Sequence, residues 1–274
     1  MNDTHSAVRL AAGHTGGEVL AELAVRNTVT VTGANPSVGI IGWLTGGGHG
    51  PLTTSYGMGA DNLLEATVVT PKGDVLVANP CENSDLFFAI RGGGGGTYGV
   101  VLEAVLKTYP SPKTTLYRLL LASVHPNTTI EFWDLIGFLH SEMQRLKDGG
   151  IQGVYVIVTP QSAPKLSFFG DFYLYDKPNG TIEGLMAPIE EKLNEKAGLI
   201  SYQANTTTTD TYWENYITNF KNEDVANRGS AYGSWLMSPE SLANANVTAK
   251  VLAQVGPSND AKKPNVRFLS PIHI

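Results

Sequence analysis

Sixteen of the thirty glycines in this chain lie between Gly33 and Gly99, in a sequence of 274 residues. They gather in two runs. Gly33–Asn62 reads GANPSVGIIGWLTGGGHGPLTTSYGMGADN, and Arg91–Gly99 reads RGGGGGTYG. Every glycine adds backbone entropy that folding has to remove, so neither a helix interior nor a strand interior favours such a composition. Runs of this kind are kept where the backbone takes positive φ or comes very close to something flat or anionic. Successive N–H groups in glycine turns also form concavities that suit a pyrophosphate. The two runs therefore predict a backbone cradle for a large cofactor, with the remaining residues as its support.

The flanking residues supply a frame. Ala7–Ala12 reads as a strand, and Thr15 with Glu18 has the spacing of a capping box ahead of a helix bearing Val19, Leu20, Leu23 and Ala24. Thr28–Thr32 is a β-branched strand, which makes the opening βαβ-like. Leu63–Thr70 and Val75–Ala78 flank a Pro/Gly turn and predict a hairpin. Leu86–Ile90 reads as a short helix, and Gly99–Tyr109 alternates like a strand. Pro110 and Pro112 mark a lobe boundary. Beyond them come a strand at Leu116–Ser123 and a helix from Thr128, with Glu131 at capping-box spacing, to about Lys147. Next are strands at Gly153–Thr159 and Lys165–Tyr175, a helix at Ile182–Lys196 and an extended Leu199–Gln203. The order βαββαβ predicts a mixed or antiparallel sheet with helices on one face, an α+β arrangement. Tyr212–Phe220 and Ser238–Gln254 read as further helices, the second with a Ser cap and Pro at its first position. Asn265–Ile274 reads as a last strand.

Composition removes several functions. The net charge is −6 with pI about 5.5, and no Lys/Arg cluster is present, so electrostatic binding to nucleic acid or an anionic membrane is not expected. Cys81 is the single cysteine, in a polar loop, and reads as an inert thiol. No apolar run reaches the ~18 residues of a membrane span. Asn2, Asn127, Asn179, Asn205 and Asn246 lie in glycosylation sequons, while the polar N-terminus has no signal-peptide pattern. A preceding segment with a signal would send the chain to the secretory route; otherwise it is cytoplasmic. The six histidines do not cluster at metal spacing, and no metal site is expected. Gly94-x-Gly96-x-x-Gly99 matches a dinucleotide fingerprint literally. A strand succeeds it where that motif needs a helix, and no acid lies near position 120. The scattered acids single out no catalytic pair, so the catalytic residue stays unknown. His49, between Gly48 and Gly50, reads equally as a cofactor contact or an exposed loop histidine. Tyr117, Tyr173 and Tyr175 could face a substrate from strands, but core packing is the favoured reading.

Taken together, these motifs resemble a family. Gly33-Ala34-Asn35-Pro36-Ser37-Val38-Gly39-x-x-Gly42 looks like the flavin loop of the vanillyl-alcohol oxidase / p-cresol methylhydroxylase (PCMH-type) superfamily. Gly46–Leu52, Tyr56-Gly57, Ala60-Asp61-Asn62 and the segment Asp85–Val101 resemble the family's next motifs along the chain, most closely those of the berberine-bridge-enzyme-like branch. The resemblance implies residues 1–110 as the C-terminal part of a PCMH-type FAD-binding lobe and 111–274 as a substrate lobe. It implies FAD, with Asn35, Pro36, Ser37, Val38, Gly39, Gly42, Leu44, His49, Gly99 and Val100 as the cofactor-binding set and Val100 toward the adenosine end. It further implies hydride removal from a small substrate such as a sugar, alcohol or specialised metabolite, with molecular oxygen as acceptor. Asn35 stands where many members carry a flavin-linking cysteine, so a cysteinyl–flavin bond is excluded, and Trp43 replaces the family's usual His. The family's Arg-Ser-Gly-Gly-His-type loop and its C-terminal return segment have no counterpart, which implies a chain truncated at both ends. A non-redox metabolite-binding or cyclisation member, or an inactive fragment, is the alternative.

Overall fold

The computed structural model describes residues 5–125, 128–159, 165–220, 237–257 and 268–272. These form two units. The first contains the described residues up to Lys113 together with those from Thr209 to Phe220; the second contains the rest.

The first unit opens with β1 (Ala7–Ala11), α1 (Gly16–Ala24) and the two-residue β2 (Thr28–Val29). The long glycine run then folds as α2 (Ile40–Thr45), α3 (Thr53–Tyr56) and a 3-10 turn at Gly59–Asn62. The hairpin β3 (Leu63–Val69) and β4 (Val75–Ala78), then α4 (Ser84–Ile90), β5 (Val100–Lys107) and β6 (Tyr109–Pro110) complete the continuous part. Four strands make an antiparallel sheet in the order β1-β5-β3-β4. One register row, Leu10–Ala104–Ala66–Ala78, crosses all four, and each member is buried. Its small residues let Val19 and Leu23 of α1, Ile40 and Leu44 of α2, and Phe87 and Ile90 of α4 share that core. The capping box that starts α1 is formed: Thr15 N donates to Glu18 Oε2 at 2.8 Å, and Glu18 N donates to Thr15 Oγ1 at 3.4 Å.

The second unit runs β7 (Thr114–Ser123), α5 (Thr129–Asp148), β8 (Gln152–Val158), β9 (Ser167–Tyr175), α6 (Thr181–Asn194) and β10 (Ile200–Thr209). The chain then contributes α7 (Tyr212–Asn219) to the first unit before adding α8 (Pro239–Leu242), α9 (Ala245–Val255) and β11 (Phe268–Ile272) to the second. The strand order is β10-β7-β9-β8-β11. β7/β9, β8/β9 and β8/β11 are antiparallel. Thr115 Oγ1 meets Thr208 Oγ1, Ser201 Oγ donates to the Ala122 carbonyl, and Val124 N donates to the Leu199 carbonyl. Numbers rise on β7 as they fall on β10, so this pair is antiparallel too. The first four strands have the order of a ferredoxin-like βαββαβ unit. Helices α5 and α6 cover one face, with Phe132, Phe168 and Phe172 each 0% exposed in the core between. Each such burial contributes roughly 1.5–3 kcal/mol relative to an exposed position. Gly137 brings α9 close to α5: a Cβ there would meet the Ala245 carbonyl.

Several expectations are corrected. The two strands of the βαβ-like opening do not share a sheet, since β1 pairs antiparallel with β5 while β2 pairs with β6 in a separate ribbon. Only Thr28 and Val29 of the expected strand Thr28–Thr32 join a ladder. A helix interior does accept glycine here, because α2 includes Gly42. The expected capping box at Thr128 and Glu131 is not made: Thr128 has ψ 37, outside the extended range of a cap, and its hydroxyl donates to the His125 carbonyl at 2.8 Å. The helix Ser238–Gln254 is broken into α8 and α9, because Asn244 caps a new start by accepting from Val247 N. Ser238 and Pro239 play their expected parts in α8. Helix α7, inside the expected substrate lobe 111–274, falls with the first unit. Asn2, Asn127 and much of the expected strand Asn265–Ile274 lie outside the described residues.

Candidate cofactor site

The site grows from the joint between α1 and the first glycine run. Gly16 N donates to the Val38 carbonyl at 2.9 Å and Gly17 N to the Pro36 carbonyl at 3.0 Å, so the loop itself satisfies the first amide donors of α1. Within the loop, Asn35 Oδ1 accepts from Ser37 N at 2.9 Å and from Ser37 Oγ at 2.7 Å. This is an Asx turn, and it holds Asn35, Pro36, Ser37 and Val38 in one compact bend. At its base, the Tyr216 hydroxyl of α7 donates to the Gly33 carbonyl at 3.3 Å. Tyr216 is 1% exposed, and burial pushes its phenol up to about 12, so it remains a neutral donor.

The next two glycines differ from the rest. Gly39 has φ −64 and ψ 125, which any residue adopts, and a Cβ built on it meets nothing within 4 Å. Gly42 sits inside α2, where glycine costs roughly 0.5–1 kcal/mol relative to Ala, and its Cβ would also meet nothing within 4 Å. Neither backbone strain nor protein packing asks for glycine at these positions. Both are exposed, beside the Asn35–Val38 bend. Their missing side chains leave open a strip of backbone that a Cβ would fill.

Other glycines serve the protein. The Trp43 indole packs on Gly48 and Gly59, where added Cβ atoms would lie 3.1 and 2.7 Å from Cη2, and its Nε1 donates to the His49 carbonyl at 2.8 Å. His49 is thereby fixed through its backbone; its ring is partly withdrawn from water, and that desolvation lowers its pKa, so the imidazole is neutral at neutral pH. Leu44 is 2% exposed and points into the core, so any part it takes in the site is through its backbone.

The second run joins the first at two places. Gly94 N donates to the Thr45 carbonyl at 3.0 Å, and Arg91 Nε donates to the Ala60 carbonyl at 2.7 Å. The end of the first run is clamped by Asn62, 1% exposed, which donates to the Tyr56 and Met58 carbonyls and accepts from the Tyr109 hydroxyl at 2.6 Å. Asn62, Arg91 and Tyr216 are parts of this site that motif reading left without a role. Gly99 and Val100 stand apart, where β5 begins. A Cβ on Gly99 would lie 2.5 Å from the Val69 carbonyl, so its glycine is required by the sheet, and Val100 is exposed opposite Val69. Among the described residues, no group of three or more His, Cys, Asp or Glu could hold a metal, and no helix is long and apolar enough to cross a membrane. Tyr117, Tyr173 and Tyr175 are all buried.

This bend, with open backbone at Gly39 and Gly42, fits a flat or anionic cofactor, and the α+β fold that carries it is that of the PCMH-type flavoproteins. Residues 1–79 match the family described as FAD binding domain. The FAD-linked oxidoreductase ZEB1 of Gibberella zeae is 34% identical over 214 residues, covering 78% of this chain and 36% of that protein. The VAO-type flavoprotein MtVAO713 of Myceliophthora thermophila superposes with a TM-score of 0.77 at 30% identity, over 90% of this chain and 44% of that one. The berberine-bridge-enzyme-like protein 28 of Arabidopsis thaliana shares the fold, with a TM-score of 0.60 at 22% identity over 87% of this chain and 44% of its own. The chain is thus similar to VAO-type flavoproteins and to FAD-linked oxidoreductases, with the FAD binding domain match in its first 79 residues. It spans between a third and a half of the length of these relatives.

Proposed function

We propose that the chain forms part of an FAD-dependent oxidoreductase that takes a hydride from a small organic substrate, with molecular oxygen as the acceptor. FAD, when bound, supplies the electron-accepting chemistry. The chain's own contribution is to position it. The Asn35–Ser37 turn and the backbone of Pro36, Val38, Gly39 and Gly42 are the cofactor-facing elements in this reading, with His49 as a neutral contact beyond them and Gly99 and Val100 toward the adenosine end. The observation that carries the reading is the pair Gly39 and Gly42, glycines that the protein's own conformation and packing do not need. Asn35 offers no thiol, so no cysteinyl–flavin bond forms at this position. The sheet of the 111–274 lobe is assigned to the substrate, which is a sugar, an alcohol or a specialised metabolite.

Reconstitution with FAD tests this directly. The expected result is a flavin band near 450 nm that stays with the protein through gel filtration. Protein that emerges colourless after incubation with excess FAD overturns the assignment. With flavin retained, anaerobic bleaching by substrate supports the redox role, and a flavin that no substrate reduces removes it.

A further inference from the structure

Thr32 and Gly33, at the entry to the long glycine run, are packed on from several sides. A Cβ on Gly50 would lie 1.9 Å from the Thr32 carbonyl oxygen and 3.4 Å from Gly33 Cα. A Cβ on Gly16, at the head of α1, would lie 3.2 Å from Thr32 Cβ, and one on Gly33 would lie 3.2 Å from Trp43 Nε1. The two ends of the Gly33–Gly50 loop thus meet at one point, and helix α7 reaches the same point. There the Gly33 carbonyl accepts from the Tyr216 hydroxyl and from Thr32 Oγ1, each at 3.3 Å. Tyr216 in turn is fixed by rings of its own helix and C-cap: Tyr212, Trp213 and Phe220 lie 5.8, 6.1 and 5.2 Å from it, centroid to centroid. Tyr212 N donates to Ser111 Oγ at 3.1 Å, and Ser111 N donates to the Asn27 carbonyl at 2.9 Å. The start of α7 is thereby tied to the residue that precedes β2.

We infer that α7 is a latch for the cofactor loop and that Tyr216 is a positioning residue for FAD. Tyr216 is 1% exposed, so it has no surface to offer a ligand and acts through the Gly33 carbonyl. The physical reason lies in the glycines, of which the Gly33–Gly50 loop contains seven. An unfastened segment of that composition explores many conformations, and a flavin binding to it would have to remove that freedom. Closing the loop at its base removes it before the flavin arrives, and holds the open strip at Gly39 and Gly42 in one place. The coupling is reciprocal: by whatever factor the latch tightens FAD binding, bound FAD tightens the latch. This rests on the reading of Asn35–Gly42 as the flavin cradle, and adds to it a part drawn from 183 residues further along the chain than Gly33.

The test compares the full 274-residue chain with its Tyr216→Phe variant, which keeps the ring stack and removes only the hydroxyl. Thr32 Oγ1 stays on the Gly33 carbonyl, so the variant is expected to melt close to the parent. Its FAD dissociation constant, read from quenching of flavin fluorescence, is expected to rise about tenfold. Hydrogen exchange gives a readout that a merely structural tyrosine would not move. Saturating FAD should slow exchange of the α7 amides in the parent about tenfold and leave those of β4, in the same unit, unchanged. The variant should show no such protection of α7. Should Tyr216→Phe fail to fold, exchange in the parent decides alone. Equal FAD affinity in parent and variant, α7 exchange indifferent to FAD, or equal protection of β4 overturns the inference and leaves the cradle standing. A parent chain that takes up no FAD overturns the cradle and the latch together.

Discussion

Trp43 and Gly59 are fitted to each other: a Cβ on Gly59 would lie 2.7 Å from the indole Cη2, while the same indole donates from Nε1 to the His49 carbonyl. One side chain therefore sets the position of a loop on two sides. Gly59→Ala is expected to displace the ring and cost about 1–3 kcal/mol, the range for inserting a methyl group into packed structure. A fall in the urea midpoint with a red shift of tryptophan emission would show it, and an unchanged midpoint would count against this packing.

Gly39 and Gly42 predict the opposite behaviour. A Cβ on Gly39 meets nothing within 4 Å among the described residues and the φ of −64 needs no change, so the unfolding transition of Gly39→Val should match that of the parent while FAD retention is lost. Gly42→Ala should raise stability by about 0.5–1 kcal/mol through helix propensity and still weaken FAD binding. Paired melting and flavin-retention assays check both. Full flavin retention in both variants would remove the cradle.

Asn62 is buried under four hydrogen bonds, one of them from the Tyr109 hydroxyl. Asn62→Ala leaves the Tyr109 hydroxyl and nearby carbonyls without that partner, for an expected loss of about 1–3 kcal/mol. Tyr109→Phe removes only one member and should cost less. Denaturant titration of the two variants gives the comparison.

His140 makes stability depend on pH. Its Nδ1 lies 2.7 Å from the Ile136 carbonyl, which can only accept, so Nδ1 carries the proton and Nε2 accepts from the Tyr155 hydroxyl at 2.5 Å. Burial lowers its pKa. The unfolded chain therefore binds this proton more readily than the folded one. The contribution is fully present above the unfolded value of about 6.5 and is lost as pH falls below it. Urea midpoints measured from pH 8 to pH 5 should decline, and His140→Gln should flatten the decline. An equal slope in the variant would exclude His140 as its source.

Much of the fold was legible because its cues are local. Thr15 and Glu18 announce a capping box three residues apart, and the structure forms it. The Pro71–Asp74 turn announces its hairpin. The same kind of cue misled at Thr128, because a hydroxyl at a helix start can turn back to a nearby carbonyl as easily as forward to an amide. Alternation along Gly99–Tyr109 identified β5 but could not reveal that β1 lies beside it, since pairing between strands so distant in the chain leaves no periodic mark. The site was legible as a motif, and less so as a division of labour: Asn62 and Arg91 lay inside quoted motifs without a role, and Tyr216 lay far outside them.

The order of residues by itself determined the cofactor class, the α+β composition and the placing of most helices and strands, because glycine runs, caps and apolar periods act over a few neighbours. Only the tertiary structure decided which glycines the protein needs for itself. Gly48, Gly59 and Gly99 are held by Trp43, the facing backbone and Val69, whereas a Cβ on Gly39 or Gly42 would meet nothing within 4 Å among the described residues. The reason is that a glycine is explained by what its absent side chain would touch, and those atoms come from residues brought close only by the fold.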